Sequence, residues 1–253
     1  MNAQREPSTW LNGPDSPCQI EPRNIRQPRR LVLLGPPGAG KRTQAVMVAA
    51  AYGACHLSTG DIFRTVRTHR LSQVNPVMQA ALVQMRMGRL VADDTVLASV
   101  RERVQCLSCR GGFVLDGFPR TVVQAEALDA LLSAHGIALD AVLDFELPHA
   151  RIYARLYGRR SCPNCKMVFH LETHPPVLAD LCDECGARLV HRDDDLPEVV
   201  GIRLAAYEQT AAPLVEYYRA RGLLVTVQAD GTPAEVFERT MQRLRQAEIM
   251  HQV

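Results

Sequence analysis

The sequence predicts an α/β fold of three layers, a parallel sheet flanked by helices, and three observations carry that expectation. Short apolar runs at residues 31–34, 112–115, 141–145 and 223–227 alternate with longer helical patterns at 43–51, 122–134 and 202–221, the rhythm of strands joined by crossover helices. The first run breaks directly into Gly35-Pro36-Pro37-Gly38-Ala39-Gly40-Lys41, which is how a parallel strand delivers a phosphate-binding loop. Helix-start patterns fall where the helices are needed: Asp195-x-x-Glu198 and Thr232-Pro233-x-Glu235 both read as N-caps, the second with proline at the first helical position. With 253 residues, 47% of them hydrophobic, the chain can fill the core of one large domain with insertions.

Composition also excludes. Lys and Arg total 29 against 27 Asp and Glu, a net charge of +2, so the overall charge gives no ground for a nucleic-acid or membrane surface. No apolar run in the sequence approaches membrane-spanning length.

Along the chain, residues 1–28 come first. Pro7, Pro14, Pro17, Pro22 and Pro28 interrupt a polar stretch without helical or strand period, and a disordered extension is expected. It lacks the apolar core of a secretory signal, and Glu6, Asp15 and Glu21 argue against a transit peptide, so the expected compartment is the cytoplasm. The loop follows. Gly35, Gly38 and Gly40 remove side chains where the backbone N–H groups, that of Ala39 among them, must close on phosphate oxygens, and Lys41 adds a point charge. From Gly35 to Lys41 the pattern is G-x-x-x-x-G-K, but Arg42 stands where the general motif has Ser or Thr, with Thr43 one residue late. Asp116 falls just past the 112–115 strand, and ligands of parallel sheets bind beyond such ends.

Residues 157–195 break the rhythm, being rich in Cys, Pro, His and Asp. Cys162-x-x-Cys165 and Cys182-x-x-Cys185 lie sixteen residues apart, a spacing that reads as a zinc site. Four thiolates on one tetrahedral ion leave no open position, so such a metal is structural and substitutes for a hydrophobic core. Two disulfides are the competing account, disfavoured in a reducing compartment. Cys106-x-x-Cys109 has no second pair nearby and is read as ordinary, as are the lone Cys18 and Cys55.

Further motifs complete the pattern: Ser58-Thr59-Gly60-Asp61-Ile62-Phe63-Arg64, Gly88-Arg89-Leu90-Val91, Asp116-Gly117-Phe118-Pro119-Arg120 with Gln124, Arg155, Gly158-Arg159-Arg160, Arg192-Asp193-Asp194-Asp195 and Arg203. In this order and spacing, across residues 29–250, the chain resembles the adenylate kinase family. The resemblance implies a P-loop kinase fold with two insertions: a core at 29–57, 92–156 and 196–253, a nucleoside-monophosphate flap at 58–91, and a zinc-binding lid at 157–195. It implies magnesium-dependent transfer of a phosphoryl group from ATP to AMP. Its partners would be these small molecules alone, without nucleic acid or membrane, and the protein would be a monomer.

Site residues follow from the same resemblance. Arg64 and Arg120 hold the monophosphate, while Arg159, Arg192 and Arg203 close over the transferring group; arginine grips phosphate with parallel donors. Thr59, Gly60, Arg89, Val91, Gly117 and Gln124 complete the AMP site, Gln124 by matching adenine's donor and acceptor pair. ATP takes Gly35, Gly38, Ala39, Gly40, Lys41, Arg42, Thr43, Arg155, Arg159 and His170, with Asp116 orienting magnesium-bound water. Asp61 is as readily an N-cap, Asp195 as readily the cap of the next helix, and His170 as readily a solvated loop residue as a ring packed on adenine. Arg42 departs from the family's usual glycine and puts a cation beside the phosphates, where it tightens ATP or obstructs loop closure. Thr173 departs from an aromatic residue common in bacterial relatives. Two rivals remain open: a CMP or UMP kinase of the same fold, and an ATP-binding regulator whose zinc ribbon grips nucleic acid.

Overall fold

Along the first strand, β1 (Arg29–Leu34), alternate side chains serve two different cores. Leu31 and Leu33 pack on one face of the central sheet, Val32 and Leu34 on the other, all four buried, so the strand is a continuous apolar run as in parallel sheets covered on both sides. This computed structural model describes residues 28–66, 76–102, 107 and 111–251. The expectations for 1–27 and for Cys18, Cys106 and Cys109 lie outside the described residues, as does the side chain of Arg64.

The element order is β1, α1 (Lys41–Tyr52), β2 (Cys55–Ser58), α2 (Thr59–Val66), α3 (Pro76–Arg86), α4 (Asp93–Arg101), β3 (Gly112–Asp116), α5 (Val122–Ala134), β4 (Ala141–Glu146), α6 (His149–Gly158), β5 (Arg159–Ser161), β6 (Val168–His170), a 3-10 turn (Asp193–Asp195), α7 (Pro197–Arg219), β7 (Leu224–Gln228) and α8 (Pro233–His251). Five strands form one parallel sheet in the order β2-β3-β1-β4-β7, with Leu33 paired to Asp116 on one side and to Leu143 on the other. On one face lie residues of α1, α6 and α8, such as Val48, Ile152 and Val236; on the other lie Leu128 of α5 and Tyr218 of α7, with Phe63 of α2 and Leu82 of α3. The expected three layers are therefore present. Each fully buried Leu or Val contributes about 1.5–3 kcal/mol relative to exposure.

Two sequence readings change. β2 has four residues, two of them His56 and Ser58, too short and too polar to announce a strand. α7 begins at Pro197, five positions before the apolar pattern that suggested it at 202, and Asp195 does not cap it: Leu196 holds the N-cap position without a side-chain bond. The Asp195 carboxylate is instead taken by Arg159 and Arg203, because guanidinium donors give stronger, charge-assisted bonds than one backbone N–H. The second start pattern holds as read. The Glu235 N–H donates to Thr232 Oγ1 at 3.3 Å and the Thr232 N–H to Glu235 Oε2 at 2.7 Å, a reciprocal capping box that starts α8.

The inserted hairpin β5–β6 is antiparallel, pairing Arg159 with His170, and is closed by bridges from Ser161 to Val190 and from Leu181 to Arg188. Its core is small, with Phe169 and Leu189 packed around Cys162 and Cys182. Among the described residues, no helix is long and apolar enough to cross a membrane.

Candidate active site

The phosphate loop leaves β1 at Gly35, whose φ is +128° and whose added Cβ would lie 2.5 Å from the Phe145 carbonyl oxygen. No other residue fits there. α1 then starts without a side-chain cap and without an acidic residue in its first turn, leaving N–H groups and the positive dipole end for an anion. Lys41 Nζ donates to the carbonyls of Gly35 and Pro36 at 2.6 and 2.7 Å, so its ammonium is held against the loop that it would charge. Loss of solvent in the cleft pushes its pKa down to about 7; Asp116 opposes the shift, while Arg120, Arg203 and Arg159 add to it. Ala39 is buried and Thr43 exposed on the first turn of α1.

Asp116 ends β3 beside this loop, with His56 Nε2 3.8 Å from its Oδ2. Burial raises the Asp116 carboxyl, but His56, Lys41 and Arg42 outweigh burial and hold it below the ordinary value, hence ionised. His56 gave no signal in the sequence, since a histidine within a four-residue strand belongs to no motif. Arg42 does not stand as a lone cation over the loop. Its Nη1 pairs with Oδ2 of Asp61 on α2, whose side chain is fully buried.

Three arginines from β5, α7 and the segment between β6 and the 3-10 turn meet two carboxylates. Arg159 Nε donates to Asp195 Oδ2 at 2.6 Å, and its Nη2 bonds Oδ1. Arg203 Nη1 donates to Asp195 Oδ1 at 2.9 Å and to the Asp194 carbonyl at 2.6 Å, and Arg192 Nε to Asp194 Oδ1 at 2.8 Å. Burial raises both carboxyls, yet the guanidiniums hold Asp194 and Asp195 well below the usual carboxylate range. The lattice joins residues up to 44 positions apart, from Arg159 to Arg203.

An open cavity of about 900 Å³ lies between these groups, lined by Gly35, Lys41, Gly88, Arg89, Gly117, Arg120, Arg192 and Arg203, with Tyr207 of α7. On the side of α2, Thr59 Oγ1 and Arg120 Nε both donate to the Gly117 carbonyl at 2.9 Å. Among the described residues, Nε is the one side-chain donor of Arg120 that is bonded, so its Nη groups are left to the cavity. Gly88 has φ of +75°, and a Cβ there would strike Val199 and Arg203 at 2.8 and 2.9 Å, so the chain after α3 touches α7 directly. Gln124 is buried; its Nε2 donates to Asp93 Oδ1 at 2.7 Å and its Oε1 accepts the Arg120 N–H at 2.8 Å. Asp93 also accepts from Thr121, and the sequence reading missed it. Gly60 at the start of α2 is buried, and Val91 just before α4 is half-buried.

On the other side of the loop, Arg155 Nη2 donates to the carbonyls of Ala229 and Gly231 at 2.9 and 3.1 Å, and its Nη1 lies 4.0 Å from where a Cβ on Gly40 would stand. His170 belongs to the hairpin: its Nδ1 accepts the Glu172 N–H at 3.2 Å and the Thr173 N–H at 3.3 Å, and the ring lies over Gly158. Cys162, Cys165, Cys182 and Cys185 are free thiols whose sulfurs all lie within 4.8 Å of one another, with Cys162–Cys185 at 3.5 Å and Cys165–Cys182 at 3.4 Å. A tetrahedral ion with metal–sulfur bonds of about 2.3 Å sets its sulfurs about 3.8 Å apart, so this cluster can hold a metal.

Comparison with known proteins agrees with this geometry. The family model described as adenylate kinase matches residues 33–223. Adenylate kinase of Streptomyces griseus is 45% identical over 217 residues, 85% of this chain and 97% of that protein. That of Moorella thermoacetica is 48% identical over 205 residues, 81% and 92% of the two chains, and that of Thermoanaerobacter pseudethanolicus 44% over 209, 83% and 94%.

Proposed function

The chain belongs to the adenylate kinase family, and from that premise we propose how its own residues divide the transfer of a phosphoryl group from ATP to AMP. It is a nucleoside monophosphate kinase. The observation that carries the division of roles is the convergence of Lys41, Arg120, Arg192 and Arg203 on one cavity at the carboxyl end of the sheet. Transfer between two nucleotides gathers many phosphate oxygens, and catalysis is then positioning and charge stabilisation without a covalent enzyme intermediate.

The donor triphosphate lies on the Gly35–Lys41 loop, with Gly38, Ala39, Gly40 and Thr43 at the start of α1 and Arg155 beside the base. AMP lies across the cavity on Thr59, Gly60, Arg64, Arg89, Val91 and Gly117, with its phosphate on Arg120 and its base near Gln124. One amide hydrogen and one lone pair of Gln124 remain after its bonds to Asp93 and Arg120, which is what an adenine edge requires. Arg159, Arg192 and Arg203 close on the transferring group. Asp116 is the residue that would orient magnesium-bound water, and the metal would neutralise charge between donor phosphates. His170 braces the lid. Residues 58–91 act as flap and 157–195 as lid on a core built from the remainder. The protein works as a cytoplasmic monomer, without nucleic acid or membrane. Measuring ADP formed from ATP with AMP, CMP, UMP or GMP tests this: a preference for a pyrimidine acceptor would make it a pyrimidine-monophosphate kinase, and absence of acceptor-dependent turnover would overturn the enzyme reading.

Lys41 gives a pH-dependent prediction. Its depressed pKa of about 7 means half the lysines lack charge at that pH in the free protein, and bound phosphates restore the ammonium. ATP binding at pH 7 is therefore expected to take up about half a proton more than binding to Lys41→Ala, and affinity to fall as pH rises above 7. Calorimetry in buffers of different ionisation enthalpy measures this, and equal uptake by both proteins would refute it.

The four thiols suit zinc as an organiser of the lid. One zinc per chain is expected in the purified protein. Chelation or Cys182→Ser should lower the melting temperature and ATP turnover while AMP affinity changes by less than about threefold. A native protein without zinc would refute the site; loss of AMP binding in step with turnover would refute the independence of lid and flap.

A further inference from the structure

Arg42 projects from the first turn of α1, one residue beyond the loop lysine. Its guanidinium crosses to α2, the helix that carries Thr59 and Gly60, and pairs there with Asp61. Asp61 has no exposed side-chain surface, whereas Arg42 retains 21%. A carboxylate so enclosed needs cationic partners, and a small residue at position 42 has no side chain to reach it. Thr59 fastens the first turn of α2 to the Gly117 carbonyl, and Asp61 fastens it to Arg42. Gly117, which accepts from Thr59, and Lys41, the neighbour of Arg42, both line the cavity together with Arg120.

We propose that Arg42 is a positioning residue for the acceptor: through Asp61 it clamps α2 onto the end of the donor loop, and so holds the AMP-binding side in its competent arrangement. This is offered in place of the two expectations for Arg42, tighter ATP or obstructed loop closure, because its guanidinium is already paired with a buried carboxylate. The inference rests on the reading that Thr59, Gly117 and Arg120 hold AMP. The guanidinium contributes a fixed cross-link between two elements that otherwise meet around the cavity, and it acts without touching the reacting atoms.

The effect is one of population. If loss of the clamp leaves α2 competent about one tenth of the time, apparent AMP affinity falls about tenfold while the intrinsic site is unchanged. Calorimetric titration of AMP and of ATP, each alone, into Arg42→Ala should therefore show AMP weakened about tenfold and ATP within about twofold. Asp61→Asn should show at least that loss, and the double variant R42A/D61N no more than Asp61→Asn alone, since Arg42 acts through Asp61. Arg42→Lys keeps the charge on a shorter, single-headed donor and should recover most AMP affinity, which a role in folding alone would not produce. Melting curves identify any variant that fails to fold; the double variant, lacking the stranded carboxylate, and the lysine variant keep the test open.

Arg120→Ala serves as the control on the acceptor reading. If it leaves AMP binding intact, the acceptor site is misassigned and the clamp falls with it. If it weakens AMP while Arg42→Ala does not, the acceptor site stands and the clamp alone is wrong. Weakened ATP with unchanged AMP, or additive losses near a hundredfold in the double variant, would also overturn it.

Discussion

Lys41→Ala is expected to lower turnover by at least about a hundredfold, near 2.7 kcal/mol of barrier. Lys41 Nζ sits 2.6 and 2.7 Å from two carbonyls of its own loop, Gly35 and Pro36, so its position is fixed before any nucleotide arrives and bound phosphate only completes its charge. Little reorganisation is then needed when charge shifts onto the leaving oxygen, and preorganised charge in an enclosed site is worth far more than the same charge in water. Alanine leaves the loop and its N–H groups in place, so the defect should fall on ATP affinity and on kcat, with AMP affinity close to that of the wild type. Steady-state kinetics with each nucleotide varied in turn would detect it. Turnover within a few-fold of wild type would mean that Lys41 serves the loop's structure and not the phosphates.

Arg120→Ala should cost a similar factor, at least about a hundredfold in kcat/KM, with a different signature. Its Nε is fixed to the Gly117 carbonyl, which is also the acceptor for Thr59. That bond aims the remaining donors into the cavity and makes them a rigid two-pronged grip for one phosphate. Loss of the grip should appear chiefly as a rise in KM for AMP, with KM for ATP near normal. Lysine at this position restores charge but not the fork, so it should recover only part of the loss. A defect confined to ATP would reverse the assignment of the two sides.

The fold was readable because its strongest signals are local. Apolar runs give β1, β3 and β4, and Gly35 to Lys41 ties the loop to the end of the first of them; α5 runs from Val122 to Ala134, the bounds its periodicity indicates. What stayed hidden depends on distance. Arg155 is held by carbonyls at 229 and 231, more than seventy positions away, and no local pattern announces them. Asp195 shows the same limit from the other side: its spacing to Glu198 is that of a cap, and only the folded chain brings Arg159 and Arg203 within reach of it. Asp93 and His56 carry no motif, and became visible as the neighbours of Gln124 and Asp116. Individual candidate residues could be named from sequence, but the partners that the fold gives them could not.

The arginine lattice on Asp194 and Asp195 has a consequence for how tightly nucleotides are held. Because Arg159, Arg192 and Arg203 already rest on carboxylates, an arriving phosphate trades one anion for another and gains only the difference between two contacts. Three cations exposed in a closed cleft would retain a polyphosphate strongly and free it slowly. With resident anions ready to reclaim each guanidinium, release becomes a swap with a low barrier, suited to a reaction that must run in both directions. The resident carboxylates also cancel much of the arginines' field before binding, so association should respond to salt less than a count of arginines suggests.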